Sequence, residues 1–166
     1  MPQPKTERIL GIDPGFARTG YAVIERRGID IRAVTYGCIS TASSTPYIER
    51  LLELDRRVTS IIRRHHPDRG AMERLFFCKN VKTAIAVGQA RGVLLAAIGR
   101  HKLPLTEMTP QQIKSFVSGY GKASKQQVQR MVQILLHLSS IPKPDDAADA
   151  LAIALTAAGT TIQIHS

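Results

Sequence analysis

The order of the hydrophobic patterns is what most constrains the fold of this chain. Three strand-like runs come in succession, at residues 7–13, 20–26 and 31–39. Each is short, apolar and bounded by turn residues: Pro14-Gly15 after the first, Gly28 between the second and third. Gly28 suits a hairpin turn, so the three fit an antiparallel meander. Helix and strand then alternate. Ile48, Leu51, Leu52, Val58, Ile61 and Ile62 space as one helical stripe, ended by Pro67. A fourth strand is expected over 70–76, a helix from Asn80 to about Arg100, and a fifth strand over 103–108. Three helices follow: 110–117, one capped by Ser124, and one over about 145–158. Thr45-Pro46 and Thr109-Pro110 both read as an N-cap followed by Pro at the first helical position. The order βββαβαβααα predicts an α/β domain: a five-stranded mixed sheet, three strands antiparallel and two parallel, flanked by helices. We read residues 1–166 as one domain with its core in about 7–158.

Four carboxylates stand at odd places in this pattern. Asp13 ends an apolar strand; Glu73 lies between Gly70-Ala71-Met72 and Leu75-Phe76-Phe77. Asp146 and Asp149, three residues apart, share a face at the head of an otherwise apolar helix. The background is basic, with 23 Lys+Arg against 13 Asp+Glu and a net charge of +10. That balance favours nucleic acid as partner. No apolar run reaches the roughly 18 residues a bilayer-spanning helix needs, since Gln89 and Arg91 interrupt Val87 to Ile98. The N-terminus lacks a signal-peptide core. Cys38 and Cys78, the only cysteines, make neither a disulfide framework nor a zinc cage, which fits a reducing cytosol.

Carboxylates at two strand ends and a helix N-terminus can converge at one edge of the sheet. Four in one cleft repel each other and partly protonate unless a cation joins them. Hard divalent ions such as Mg²⁺ take carboxylate oxygen, and two of them can activate water and stabilise the leaving 3′ oxygen of a phosphodiester. Each acid also has a plainer reading. Asp13 suits a turn before Pro-Gly. Asp145 and Asp146 suit a helix N-cap and first turn. Glu73 suits a solvent-facing strand position. Asp149, inside an Ala/Leu/Ile face, fits the plain reading least. Lys114, Lys122 and Lys125 flank the loop Ser118-Gly119-Tyr120-Gly121 and suit phosphate contacts.

The blocks Gly11-Ile12-Asp13-Pro14-Gly15, Glu73-Arg74-Leu75-Phe76-Phe77, Gly88-Gln89-Ala90-Arg91-Gly92 and Asp146-Ala147-Ala148-Asp149-Ala150-Leu151, in this order, resemble the RuvC family of bacterial Holliday-junction resolvases. The resemblance spans about residues 7 to 158. It implies a ribonuclease-H-like fold. It implies a homodimer that binds a four-way DNA junction and nicks two opposed strands, using two Mg²⁺ or Mn²⁺ ions, in recombination and repair. On this resemblance Asp13, Glu73, Asp146 and Asp149 are the catalytic metal carboxylates. Phe76 is the junction-probing aromatic, with Phe77 expected in the core, and Lys114 and Lys125 contact DNA. The family acts beside a branch-migration motor of the RuvA/RuvB type. Met72, where a β-branched residue is more usual, and Asp145, a fifth acid, depart from the pattern. The role of Arg91 stays open, and the small-residue helix 80–100 is the expected dimer interface.

Other classes compete. Asp13-Pro14-Gly15 with Thr19-Gly20 also resembles the phosphate loop of actin/hexokinase-type ATPases, which need two such domains. Gly119-Tyr120-Gly121-Lys122-Ala123 lacks the Walker A spacing. A non-catalytic junction-binding module and a related nuclease acting on RNA or other branched nucleic acid complete the alternatives.

Overall fold

The structure, a computed structural model, describes residues 5–74 and 81–160. Its strands are β1 (Thr6–Asp13), β2 (Arg18–Arg27), β3 (Asp30–Ser40), β4 (Arg69–Glu73) and β5 (Leu105–Met108). Its helices are α1 (Tyr47–His65), α2 (Val81–Arg100), α3 (Pro110–Ser118), α4 (Lys125–Leu135) and α5 (Asp145–Thr160). The sheet order is β3-β2-β1-β4-β5, with β1 in the centre. β1, β2 and β3 pair antiparallel. β4 and β5 run parallel to β1. The expected mixed sheet is therefore present, and Gly28, at φ +64°, makes the tight turn between β2 and β3.

Alternation along β1 sorts the two layers. Leu10 and Ile12 point into one core with Leu54, Val58, Met72 and Leu94, under α1 and α2. Ile9 points into the other, with Ala71, Ala150, Leu151 and Ala154, under α3 to α5. Asp13 shares its side of the pleat with Ile9, and Glu73 shares its side with Ala71. Both acids thus belong to the α5 face. Met72, fully buried, belongs to the opposite core.

Some local expectations need correction. Thr109 caps α3 as expected, in a reciprocal box with Gln112, and Ser124 does the same for α4 with Gln127. Thr45 does not cap α1. Pro46 takes the cap position there, and no side chain bonds the first turn. The third residue after Thr45 is Ile48, which cannot return the hydrogen bond that Gln112 supplies to Thr109. Asp145 is the first residue of α5 rather than its cap; the carbonyl of Pro144 accepts from the Ala147 and Ala148 amides. β4 ends at Glu73. Residues 75–76 of the expected strand, the Asn80 start of the next helix, Phe76, Phe77 and Cys78 lie outside the described residues.

α2 corrects the reading of the apolar runs. It has 20 residues and a mean hydropathy of 1.4 over its most apolar 18, enough in length and composition to cross a membrane. Ala90, Leu94, Ala97 and Ile98 instead bury against the sheet, and Arg91 is nearly buried beside them in an ion pair with Glu107.

Candidate active site at the edge of the sheet

Asp13 and Glu73 sit at the C-terminal ends of neighbouring parallel strands, one position past the Ile12–Met72 pair. α5 crosses their face with its N-terminus at the same edge. Two glycines make that crossing possible. A Cβ at Gly11 would lie 2.2 Å from the Ala150 carbonyl oxygen, and one at Gly20 would lie 1.9 Å from the Asp146 carbonyl oxygen. Gly20 is the β2 partner of Asp13. The helix therefore rests directly on backbone beside Asp13, and its own acids come to the strand ends.

A cleft of about 360 Å³ opens there, lined by Asp13, Glu73, Asp149, Lys114 and Lys125 with an apolar floor that includes Ile113. Burial and the charges of Asp149, Glu73 and Asp146 push the Asp13 carboxyl up to about 7. Burial and Asp149 also raise Glu73, against the pull of Lys114. Burial raises Asp149, against the pull of Lys125, whose Nζ lies 3.2 Å from its Oδ2. Lys125 in turn is pushed down by burial but held above its ordinary value by Asp149, Asp145 and Asp146. Asp146, one turn earlier on α5, accepts from Arg18 Nε at 2.8 Å. Asp145 pairs with Lys125 and Lys143. Lys122 is exposed on the loop between α3 and α4. With their side chains as they stand, no three acids among the described residues gather at one ligating point. The donor set is all oxygen, and Asp149 and Glu73 oppose the ionisation of Asp13 in a half-buried cleft. That chemistry suits a hard divalent cation.

Several residues that shape this edge act through partners far along the chain. Arg91 reaches from α2 to donate from Nη1 to the Glu73 carbonyl at 2.8 Å while paired with Glu107 on β5. It fixes the end of β4 and so the backbone that carries Glu73. Cys38, a free thiol, lies 3.8 Å from Asp146 Oδ2. Arg18 and Gly20 complete the set.

Comparison with known proteins places this geometry. The family model for crossover junction endodeoxyribonuclease RuvC matches residues 9–157. The chain belongs to the RuvC family. The RuvC of Halothermothrix orenii is 54% identical over 147 residues, 89% of each chain. That of Chloroflexus aggregans is 50% identical over 153 residues, 92% of this chain and 93% of its own. A T. thermophilus RuvC structure in complex with Holliday junction substrate superposes with a TM-score of 0.90 at 34% identity, covering 95% of this chain and 96% of that one. The yeast mitochondrial resolvase Ydc2, at TM-score 0.68 and 16% identity, shares the fold. The architecture of this RuvC chain is therefore the ribonuclease-H-like one that the sequence resemblance implies.

Proposed function

We propose that this chain resolves four-way DNA junctions by hydrolysing one phosphodiester in each of two opposed strands, with Asp13, Glu73, Asp146 and Asp149 as the catalytic carboxylates. The observation that carries the reading is the meeting of Asp13, Glu73 and Asp149 in one basic-rimmed cleft of a chain in the RuvC family. Mg²⁺ or Mn²⁺ held by these acids, two ions in the active complex, would supply Lewis acidity toward the phosphate and activation of water. The residues do the rest. Gly11 and Gly20 seat α5 so that Asp149 faces Asp13. Arg91 holds the strand end beneath Glu73. Lys114 and Lys125, on the cleft wall, place the scissile phosphate, and exposed Lys122 on the adjoining loop meets the backbone beyond it. Water adds to phosphorus, the bond to the 3′ oxygen breaks, and the 3′ oxygen leaves as a hydroxyl. No covalent enzyme intermediate is needed. Phe76, three residues past Glu73, stacks on a junction base, a contact worth about 1–3 kcal/mol.

A junction with two-fold symmetry is matched by a two-fold dimer. The outer face of α2 supports one. Ile85 and Leu95 are exposed on it, and a Cβ added at Gly88, Gly92 or Gly99 meets nothing within 4 Å. A second copy can approach closely along that stripe. We place the protein in the cytoplasm, beside a branch-migration motor of the RuvA/RuvB type.

The test is cleavage of a labelled mobile four-way junction against linear duplex and an RNA-containing branched substrate, with Mg²⁺, Mn²⁺ or EDTA. Paired metal-dependent nicks confined to the DNA junction are expected. Asp149→Asn should abolish cleavage and leave junction binding intact; equal loss of both would remove Asp149 from the chemistry.

A further inference from the structure

Arg18 opens β2 at the cleft edge, with its side chain 52% exposed. Its Nε donates to Asp146 Oδ2 at 2.8 Å, the same oxygen that Cys38 Sγ approaches at 3.8 Å. Asp13, Glu73 and Asp149 are walls of the cleft, and Asp146 is not. No third acid joins any pair of them at a ligating point among the described residues. The Arg18 bond is the contact that fixes the Asp146 carboxylate where it stands. Asp149, by contrast, meets its cation, Lys125, inside the cleft wall. Asp146 and Asp149 are thus each matched by one cation, but only the Asp146 pair lies outside.

We propose that Arg18 is a resident counter-ion that competes with the divalent cation for Asp146, so that this residue sets how tightly the site loads with metal. The inference rests on the reading of the carboxylates as metal-binding. An arginine holds a carboxylate through directional N–H bonds and stays charged at every working pH, so the competition is not relieved by titration. It is relieved by a cation that neutralises Asp146 better than a half-exposed guanidinium does. Exposed ion pairs are weak, so the effect is modest: about a two- to fivefold change in metal affinity.

Calorimetric titration of the full chain with Mn²⁺, without DNA, tests this. Arg18→Ala should tighten Mn²⁺ binding about two- to fivefold relative to wild type. Its melting temperature in EDTA should fall by no more than about 4 °C, the loss of one half-exposed ion pair. Lys122→Ala removes the same charge from the loop beside the cleft without removing a carboxylate contact, and should change the affinity less. Unchanged or weaker Mn²⁺ binding in Arg18→Ala, or a gain no larger than that of Lys122→Ala, would overturn the proposal while leaving the metal site in place. Absence of Mn²⁺ binding in the wild type would overturn the metal reading, and the competition with it.

Discussion

The two ends of α5 handle charge in opposite ways. At its C-terminal end Arg69 and Arg26 donate to the Ala157 and Ala158 carbonyls, at 2.9 and 2.6 Å. They belong to the last turn of the helix, where the backbone ladder runs out. Glu7 holds both arginines, each at 2.8 Å. Burial alone would raise the Glu7 carboxyl, but Arg69 and Arg26 outweigh it and hold it below its ordinary value. At the N-terminal end Asp13, Glu73 and Asp149 outnumber the cations and are all raised. One end is a compensated network that fixes the helix. The other keeps negative charge in excess, which costs stability and which, on the proposed function, a divalent cation would neutralise. The fold anchors α5 at its compensated end and so holds Asp149 in place at the end where the proposed chemistry lies.

Asp13→Asn should separate the two ends most sharply. Cleavage should fall on the order of 10²–10³-fold, the scale of losing one preorganised electrostatic group. Stability should rise. The folded Asp13 carboxyl titrates near 7 against an ordinary 3.8, so between those values the folded state holds a proton the unfolded chain has released. Stability therefore falls as pH rises through that window, and levels off above it. Thermal melts in EDTA at pH 4 and pH 7.5 should show the variant equal to wild type at the lower pH. At the higher pH it should melt about 4–8 °C above it, for a relief of about 2 kcal/mol. Equal melting at both values would mean Asp13 is not strained.

Glu7→Gln should do the reverse. It takes the carboxylate charge from two nearly buried guanidinium groups and leaves them their carbonyl partners, a loss of about 3 kcal/mol, and should lower the melting temperature by roughly 6–12 °C. Junction binding by the folded fraction should persist. A neutral result would show that α5 is held by its apolar face alone. Gly20→Ala tests the connection between the ends. Its Cβ would meet the Asp146 carbonyl at 1.9 Å. The helix must lift, at about 1–3 kcal/mol, and cleavage should fall more than the stability loss explains, because Asp146 and Asp149 move with it. Unaltered cleavage would mean that the seat of α5 on β2 does not position the acids.

What the sequence revealed and what it hid follow the same division. The strand runs, the helix caps at Thr109 and Ser124, and the four acids are legible because each is a local pattern. The acids stand out by breaking apolar periodicity. The compensating cations do not, because Arg18, Arg26 and Arg69 look like any surface arginine until the fold brings a carboxylate or carbonyl from far along the chain. Gly11 and Gly20 likewise read as turn or strand residues; only the helix lying on them shows why no side chain fits. Thr45 failed as a cap for a reason one could read, the missing partner at Ile48. The membrane-length character of α2 is hidden in the sequence because Arg91 reads as an interruption, whereas it is a buried cation paired with Glu107.

Lys125 belongs to neither end cleanly, and it gives the finest test. It touches Asp149 at 3.2 Å and Asp145 at 3.6 Å, as a structural counter-ion would. It also lines the cleft where a phosphate would pass. If it serves DNA, Lys125→Ala should weaken junction binding and reduce the slope of log affinity against log salt by about 0.9, one phosphate contact. If it serves only Asp149, as Arg69 serves Glu7, the slope should not change, and the variant should instead lose stability near neutral pH as Asp149 loses its partner. Binding measured across a salt series, beside melts of the same variant, decides between them. The first outcome extends the uncompensated end to include the substrate: the acids are kept short of cations partly because one of their cations is shared with the DNA.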